Sequence, residues 1–452
     1  MVLAAVVIVL LVRRIGGTLS APAPDVTRIT TSASTSAAQN VLLHLLVALT
    51  AVVVVGQLLG RWFAAVGQPP VIGEVVGGVL LGPSLLGAIA PAAYRFILPP
   101  DVMPYLGIVA QLGVILYMFR VGLELNPDLL RGQVHATVAI SHASIILPFV
   151  LGAVLALYLY PRVSTSDVPF IAFALFLGIA MSITAFPVLA RILSDLGISR
   201  TPLGVAALTC AAVDDVTAWC LLALVVGLVQ AALGSALLVT ALTLAFIGVM
   251  FGAVRPVVAR LVRASGDREP SRGIIALTLA ALLSATLVTE AIGVHAIFGA
   301  FLFGAVLPHD SRLARILTQS LDHLVGILLL PAFFAFAGVR TEIGLLSGWD
   351  AWLACGLIIA VATVGKVVGT LLAGRATGLG WREAASLGVL MNTRGLMQLI
   401  VLNVGLDLGV ISPALFTMMV IMALVTTIAT TPVFRRIVPA ETAVHPSSSV
   451  TF

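Results

Sequence analysis

Of the 24 basic residues in this chain only one is a lysine, Lys366, and it sits inside a long apolar run, AWLACGLIIAVATVGKVVGTLLAG. A guanidinium keeps its proton in a protein, whereas a lysine amine can give one up once it is desolvated or loses its partner. Writing arginine everywhere else and lysine here therefore points to proton chemistry. Asp214 and Asp215 are adjacent in a second apolar run, VAALTCAAVDDVTAWCLLALVVGLV. Each charge placed within a membrane costs about 2.5–3.5 kcal/mol on insertion scales, so two carboxylates and one amine in lipid-length segments need a function or each other. Neighbouring residues on a helix point about 100° apart, so the two carboxylates cannot face one partner equally; one can pair with Lys366 while the other faces a cavity. A purely structural ion pair would explain neither the doubled aspartate nor the lone lysine.

The elements that must carry these groups follow from composition. With 60% hydrophobic and 10% charged residues and a mean hydropathy of +1.16, the chain is an all-α polytopic membrane protein. Its formal charge of +5 is a matter of loops and bilayer, with no basic stretch interleaved with aromatics to suggest nucleic acid. No His/Cys cluster has metal spacing and no glycine-rich phosphate loop follows a strand pattern, so no cofactor is expected. Cys210 and Cys220 share one helix and lie about 15 Å apart along it, which excludes a bridge between them. Residues 1–39 read as an N-terminal lead: a twelve-residue apolar segment too short to cross, then Arg13 and Arg14 on the wrong flank for a signal peptide, then a disordered Ser/Thr/Ala/Pro-rich linker. The transmembrane domain, 40–438, holds thirteen predicted spans: 40–60, 70–89, 104–125, 135–159, 168–194, 201–229, 234–254, 273–290, 292–308, 320–338, 351–373, 383–405 and 409–432. A short tail, 439–452, follows.

Fifteen arginines, Arg61 through Arg436, fall in the loops after odd-numbered spans or at the C-terminal end, against Arg95, Arg162 and Arg340 on the other side. The positive-inside rule makes the first set and the C-terminus cytoplasmic and puts the N-terminus of the thirteen-span core outside. Spans 2 and 9 share a pattern (GGVLLGP at 77–83, GAFLFGA at 299–305), as do the ends of spans 3 and 10 (MFRVGLELNP, FFAFAGVRTEIG). Two six-span repeats, 40–229 and 273–432, separated by one linking helix at 234–254, would run in opposite directions through the bilayer, an arrangement common among secondary transporters.

The fifth member of each repeat is interrupted. FLGIAMSITAFPVLARIL places Pro187 mid-membrane behind Ser182 and Thr184, where proline frees the carbonyl four residues back. MNTRGLMQLIVLNVG breaks span 12 with Asn392, Thr393, Arg394 and Gly395. Two discontinuous helices in matching positions, crossing at the midplane, are the best pointer in a sequence to an ion site. The helical rise puts Asp214 and Lys366 about 20 Å into their spans, so both can reach the midplane. Arg394 cannot neutralise itself and is read as a fixed counter-charge for its broken helix. Glu74, near the start of span 2, is read either as a carboxylate that attracts cations into a funnel or as a solvated interfacial residue. Arg120 is read as snorkelling with Glu124 one turn on, His135, His142 and His295 as packed histidines, and Glu290 with His295 as an outer-surface feature.

The strings PPVIGEVVGGVLLGPSLLG, FRVGLELNPDLL, MSITAFPVLARILSDLGI, AAVDDVTAW, GVHAIFGAFLFGAVLP, LLLPAFFAFAGVRTEIG, GKVVGT and NTRGLMQLIVLNVGLDLGVIS, spread from about 69 to 412, resemble the monovalent cation:proton antiporters, in the branch shared by bacterial Na+/H+ and K+/H+ antiporters and plant cation/H+ exchangers. The resemblance implies a homodimer with a dimerisation domain and a moving core. It makes Asp215 the carboxylate that binds the cation and the proton, Asp214 its neighbour, Lys366 the lysine facing Asp214, and Ser182 and Thr184 part of the site. Asp-Asp stands where the plant exchangers usually have Asn-Asp, Arg120 replaces a common apolar residue, and Gln398 replaces a frequent Glu. The expected function is exchange of protons for Na+ or K+ by alternating access across a bacterial inner membrane. A potassium-efflux or channel-like protein is the alternative, weakened by the short tail. An enzyme is not expected, because no Ser-Lys or Ser-His pair or cofactor signature stands in a recognisable context.

Overall fold

A computed structural model of the chain describes residues 8, 10–14, 41–124, 134–199, 201–230, 233–265, 270–293 and 295–438. The linker expected up to residue 39 and the tail at 439–452 lie outside them. Every regular element among the described residues is helical. Ten helices are long and apolar enough to cross a membrane, and three shorter apolar ones, Phe170–Ser182, Ala296–Val306 and Met397–Asp407, stand where spans 5, 9 and 12 are predicted. That tally is compatible with thirteen spans. Helices suit this composition because each satisfies its own backbone, leaving residues such as Leu42, Leu46, Leu58, Leu277 and Leu287 to face hydrocarbon.

The first repeat comprises α1 (Val41–Ala65), α2 (Pro70–Leu81), α3 (Met103–Glu124), α4 (Val134–Val163), α5 (Phe170–Ser182), α6 (Phe186–Asp195) and α7 (Pro202–Gln230). The linking segment is α8 (Leu233–Val249), a π-helical turn and α9 (Arg255–Ser265). The second repeat comprises α10 (Arg272–Ile292), α11 (Ala296–Val306), α12 (Arg312–Leu324), α13 (Leu330–Val339), α14 (Trp349–Ala376), α15 (Trp381–Met391), α16 (Leu396–Asp407) and α17 (Pro413–Ile437). Span 10 is longer than its sequence reading: α12 packs Leu313, Leu317 and Leu321 on one face and joins α13 through a π turn at Val325–Leu329.

Packing sorts these helices into two bundles, each fed equally by the two repeats. The first three spans of each repeat (α1–α3; α10–α13) form one, and the last three (α4–α7; α14–α17) form the other. Within the first bundle the repeats cross: α3 lies on α11, and α13 lies on α2. Glycines at the shared motif positions permit it. A Cβ at Gly122 would stand 2.2 Å from the Phe301 carbonyl oxygen, and one at Gly338 would stand 2.5 Å from that of Val75. Gly122 and Gly338 occupy the same place in the two span-end motifs, so one device serves both halves.

Candidate functional site

The second bundle contains both interruptions. Helix α5 stops at Ser182, residues 183–185 are extended, and α6 restarts at Phe186; α15 stops at Met391 and α16 restarts at Leu396. The breaks touch directly: the Ala185 N–H donates to the Thr393 carbonyl at 2.9 Å. A Cβ on Gly395 would lie 2.5 Å from Val188 Cγ2, so only glycine allows this approach. Pro187 proves not to be a mid-helix kink. It occupies the first turn of α6, where its missing N–H would have had no intrahelical acceptor.

A broken helix leaves carbonyls without partners in a place where each unpaired one is costly. Both buried cations answer this need at the end of α5. Arg394, fully buried, donates through Nη2 to the Met181 carbonyl at 2.6 Å and through Nη1 to those of Ile183 at 2.8 Å and Ala180 at 3.3 Å. Ile183 lies in the extended break itself, beyond the end of α5, and Arg394 takes up its carbonyl. Lys366 Nζ donates to the Ser182 carbonyl at 2.5 Å. Positive charge at a helix C-terminus also meets the negative end of its dipole.

Lys366 Nζ lies 2.8 Å from Asp214 Oδ2, and both side chains are 0% exposed. Asp214 is surrounded by donors. Ser141 Oγ gives to Oδ1 at 2.5 Å, Ser144 Oγ reaches Oδ2 at 2.9 Å, and Thr184 Oγ1 lies 2.9 Å from Oδ2. The Thr184 hydroxyl also lies 3.0 Å from the Met391 carbonyl, the last of α15, and has one proton for two acceptors. Asp215 is the opposite case. It is 4% exposed, and neither of its oxygens meets a hydrogen-bond donor among the described residues. An ionised carboxylate in such a place needs a positive charge, whether a proton or a metal cation.

The other expected site residues take separate places. The Ser182 hydroxyl turns back to the Ile179 carbonyl at 2.8 Å, so this residue meets Lys366 through its backbone. The Thr393 hydroxyl likewise returns to Leu390, and only its carbonyl serves the crossing. Asn392 Oδ1 is buried and meets no donor among the described residues. The Arg394 backbone is clamped by Thr427, whose Oγ1 accepts from its N–H at 3.0 Å and donates to its carbonyl at 2.7 Å. Gln398, in place of a frequent Glu, offers Oε1 to Arg394 at 3.4 Å but no charge. Glu74 lies outside this group, in a cavity of about 210 Å³ between the bundles, lined also by Pro70, Tyr117, Val188 and Arg191. Arg120 pairs with Asp322 on α12, a partner the sequence did not suggest. Glu290 accepts from the Ala296 N–H at 2.8 Å and so caps α11. Ser141 and Ser144 were missed altogether; their one signal is an i, i+3 spacing that puts two hydroxyls on one face of α4.

Over 404 residues the chain is 44% identical to the Na(+)/H(+) antiporter NhaS4 of Synechocystis, covering 89% of this chain and 98% of that one. It is 39% identical to Cation/H(+) antiporter 19 of Arabidopsis thaliana and 33% identical to K(+)/H(+) antiporter 1 of Saccharomyces cerevisiae, over 84% and 83% of this chain. It spans about half the length of these plant and yeast relatives, 48% and 44%. Its fold resembles that of the sodium proton antiporter MjNhaP1 from Methanocaldococcus jannaschii, with a TM-score of 0.58 at 14% identity over 89% of this chain and 98% of that one. Residues 48–438 match the family described as "Sodium/hydrogen exchanger, transmembrane", so the chain belongs to the sodium/hydrogen exchanger family.

Proposed function

We propose that this protein exchanges protons for a monovalent cation, Na+ or K+, across a bacterial cytoplasmic membrane by alternating access, as a homodimer. The observation that carries the proposal is the contrast between two adjacent carboxylates. Asp214 has three hydroxyls and an ammonium within hydrogen-bond reach, whereas Asp215 is buried with no donor on either oxygen among the described residues. A group that demands one positive charge and has no resident one can be served by a proton or by a cation in turn, and that competition is antiport. Relatives named for Na+ and for K+ exchange support keeping both ions in the proposal.

On this reading the first bundle is the dimerisation scaffold and the second the moving core. The arginine-rich face is cytoplasmic, and Glu74 gathers cations in the cavity open to that side. A cation entering from there displaces the proton at Asp215. After the core moves, the cation leaves and a proton rebinds. Lys366 holds Asp214 when no cation is present and yields it when one arrives; Arg394 stays charged throughout and holds the crossing of the broken helices.

The test is proton flux in proteoliposomes driven by Li+, Na+, K+ or Rb+, with wild type and Asp215→Asn. The substitution keeps the side-chain size and removes the charge, so at least one cation should drive flux in wild type and none in the variant. Flux in Asp215→Asn near the wild-type rate would remove Asp215 from the site.

A further inference from the structure

Arg340 ends α13 in the first bundle, and Asp407 ends α16 in the second. The guanidinium bridges them, giving Nη2 to Asp407 Oδ1 at 2.6 Å and Nη1 to Asn403 Oδ1 at 2.9 Å. Both acceptors sit on α16, one turn apart, so the fork of a single arginine grips one helix end of the other bundle. Beside it the Glu342 N–H donates to Thr417 Oγ1 on α17 at 3.1 Å, a second tie between the bundles at the same, arginine-poor face. The opposite face differs. There a 3.4 Å hydrogen bond from Gln68 to the Ile428 carbonyl is a weak link, and the bundles stand apart around the cavity of about 210 Å³ that holds Glu74 and Arg191.

The helix that Arg340 grips is the one whose other end forms the crossing. Helix α16 is led by its N-cap Gly395, packed against Val188 of α6, and ends at Asp407. Any displacement of the broken helices along the membrane normal must carry Asp407 past Arg340. The pair is also suited to being broken. Its side chains are 20% and 41% exposed, whereas the Lys366–Asp214 pair is fully buried. Water can replace each partner of a half-exposed ion pair, and such pairs contribute little net stability.

We propose that Arg340 and Asp407, with Asn403, form a gate that closes the arginine-poor face in the state described here and must open in every exchange cycle. This rests on the antiport reading. Arg340 and Asp407 touch no transported ion; they position the core.

The test uses Arg340→Cys with Asp407→Cys in a Cys220→Ser background, reconstituted in proteoliposomes and linked by a bifunctional methanethiosulfonate. Linking should lower cation-driven proton flux at least tenfold, and a reductant should restore it. Either single-cysteine variant treated alike should show no reductant-dependent change. A second measurement avoids cross-linking. Asp407→Asn should favour the state open to the arginine-poor face, lowering the apparent cation KM measured from that side and raising it from the other, and Arg340→Asp with Asp407→Arg should restore the wild-type ratio. Equal flux before and after reduction of the linked protein, or an unchanged ratio of the two KM values, would overturn the gate while leaving antiport intact, since flux would still be observed. A wild type without cation-driven proton flux would instead overturn the antiport reading, and the gate with it.

Discussion

Replacing Asp214 by Asn tests whether the buried ion pair sets the charge moved per cycle. The carboxylate takes donors on both oxygens, from Ser141 on one and from Ser144, Thr184 and Lys366 on the other. An amide turns one acceptor into a donor. Hydroxyls accept as readily as they donate, so Ser141 can rotate to meet the amide nitrogen while the amide oxygen stays with Lys366. The geometry survives, but the counter-charge is lost. Leaving one member of a buried pair uncompensated costs about 3–5 kcal/mol. The variant escapes that cost by keeping Lys366 neutral throughout the cycle.

The consequence is read in voltage. If the pair breaks and re-forms, a proton moves with it beyond the one exchanged at Asp215, giving two protons per cation and one net charge per turnover. One charge across 100 mV is worth about 2.3 kcal/mol, which is a factor of roughly 50 in the cation ratio at which net flux stops, at about 1.4 kcal/mol per decade. Wild type should therefore shift its null point about 50-fold per 100 mV, whereas Asp214→Asn and Lys366→Gln, where they exchange at all, should stay fixed. The assay is the null point of proton flux in proteoliposomes under a diffusion potential set without potassium. A wild-type null point indifferent to voltage would refute electrogenic exchange. A variant that shifts as wild type does would refute the role given to the pair.

Two further expectations follow from the breaks. Pro187→Ala should leave KM and rate within about twofold, because a proline in the first helical turn removes no hydrogen bond and the break is held by Arg394 and by the Ala185–Thr393 contact; a KM raised tenfold would mean that the proline itself keeps α5 and α6 apart. Arg394→Lys keeps the charge but can serve only part of the carbonyl set of Ala180, Met181 and Ile183. Each buried carbonyl left unpaired costs about 1–3 kcal/mol, so denaturant unfolding in detergent should show a loss of at least about 2 kcal/mol, and unchanged stability would refute the capping role.

What could be read in the sequence was what lipid makes expensive. Asp214, Asp215, Lys366 and Arg394 stand out because charges within apolar runs are rare, and the two interruptions stand out because Pro187 and the Asn-Thr-Arg-Gly string oppose a continuous helix. Short motifs suggested the repeat, and the reciprocal packing of Gly122 on α11 and Gly338 on α2 gives it a physical form. Hydroxyls were harder. Ser141 and Ser144 look no different in sequence from Thr50, Thr209 or Ser284, which merely bond back to a carbonyl one turn earlier. The break at α5 and α6 was correctly placed but wrongly attributed, since proline marks the restart of the helix and the cations hold its stop. The tie between Arg340 and Asp407 joins residues 67 apart whose meeting depends on how two bundles assemble, which no local pattern records.

The division between arginine and lysine takes on its full meaning at the end of α5. Two cations cap the same helix terminus, and they do so differently. Arg394 spreads its planar fork over three backbone carbonyls, contacts that persist whatever the protonation of the carboxylates, so a group that never loses its proton suits the position. Lys366 divides its three donors among the Ser182 carbonyl, Asp214 and Ser144, so its ties to the helix and to the carboxylate are separate bonds on one nitrogen. Losing the carboxylate leaves the helix bond in place, and a neutral amine can still donate it. An arginine at 366 could leave Asp214 but could not shed its charge on doing so; a lysine at 394 could shed its charge but could not hold three carbonyls. One residue fixes the frame in which the ion is exchanged, and the other can follow the exchange without disturbing that frame.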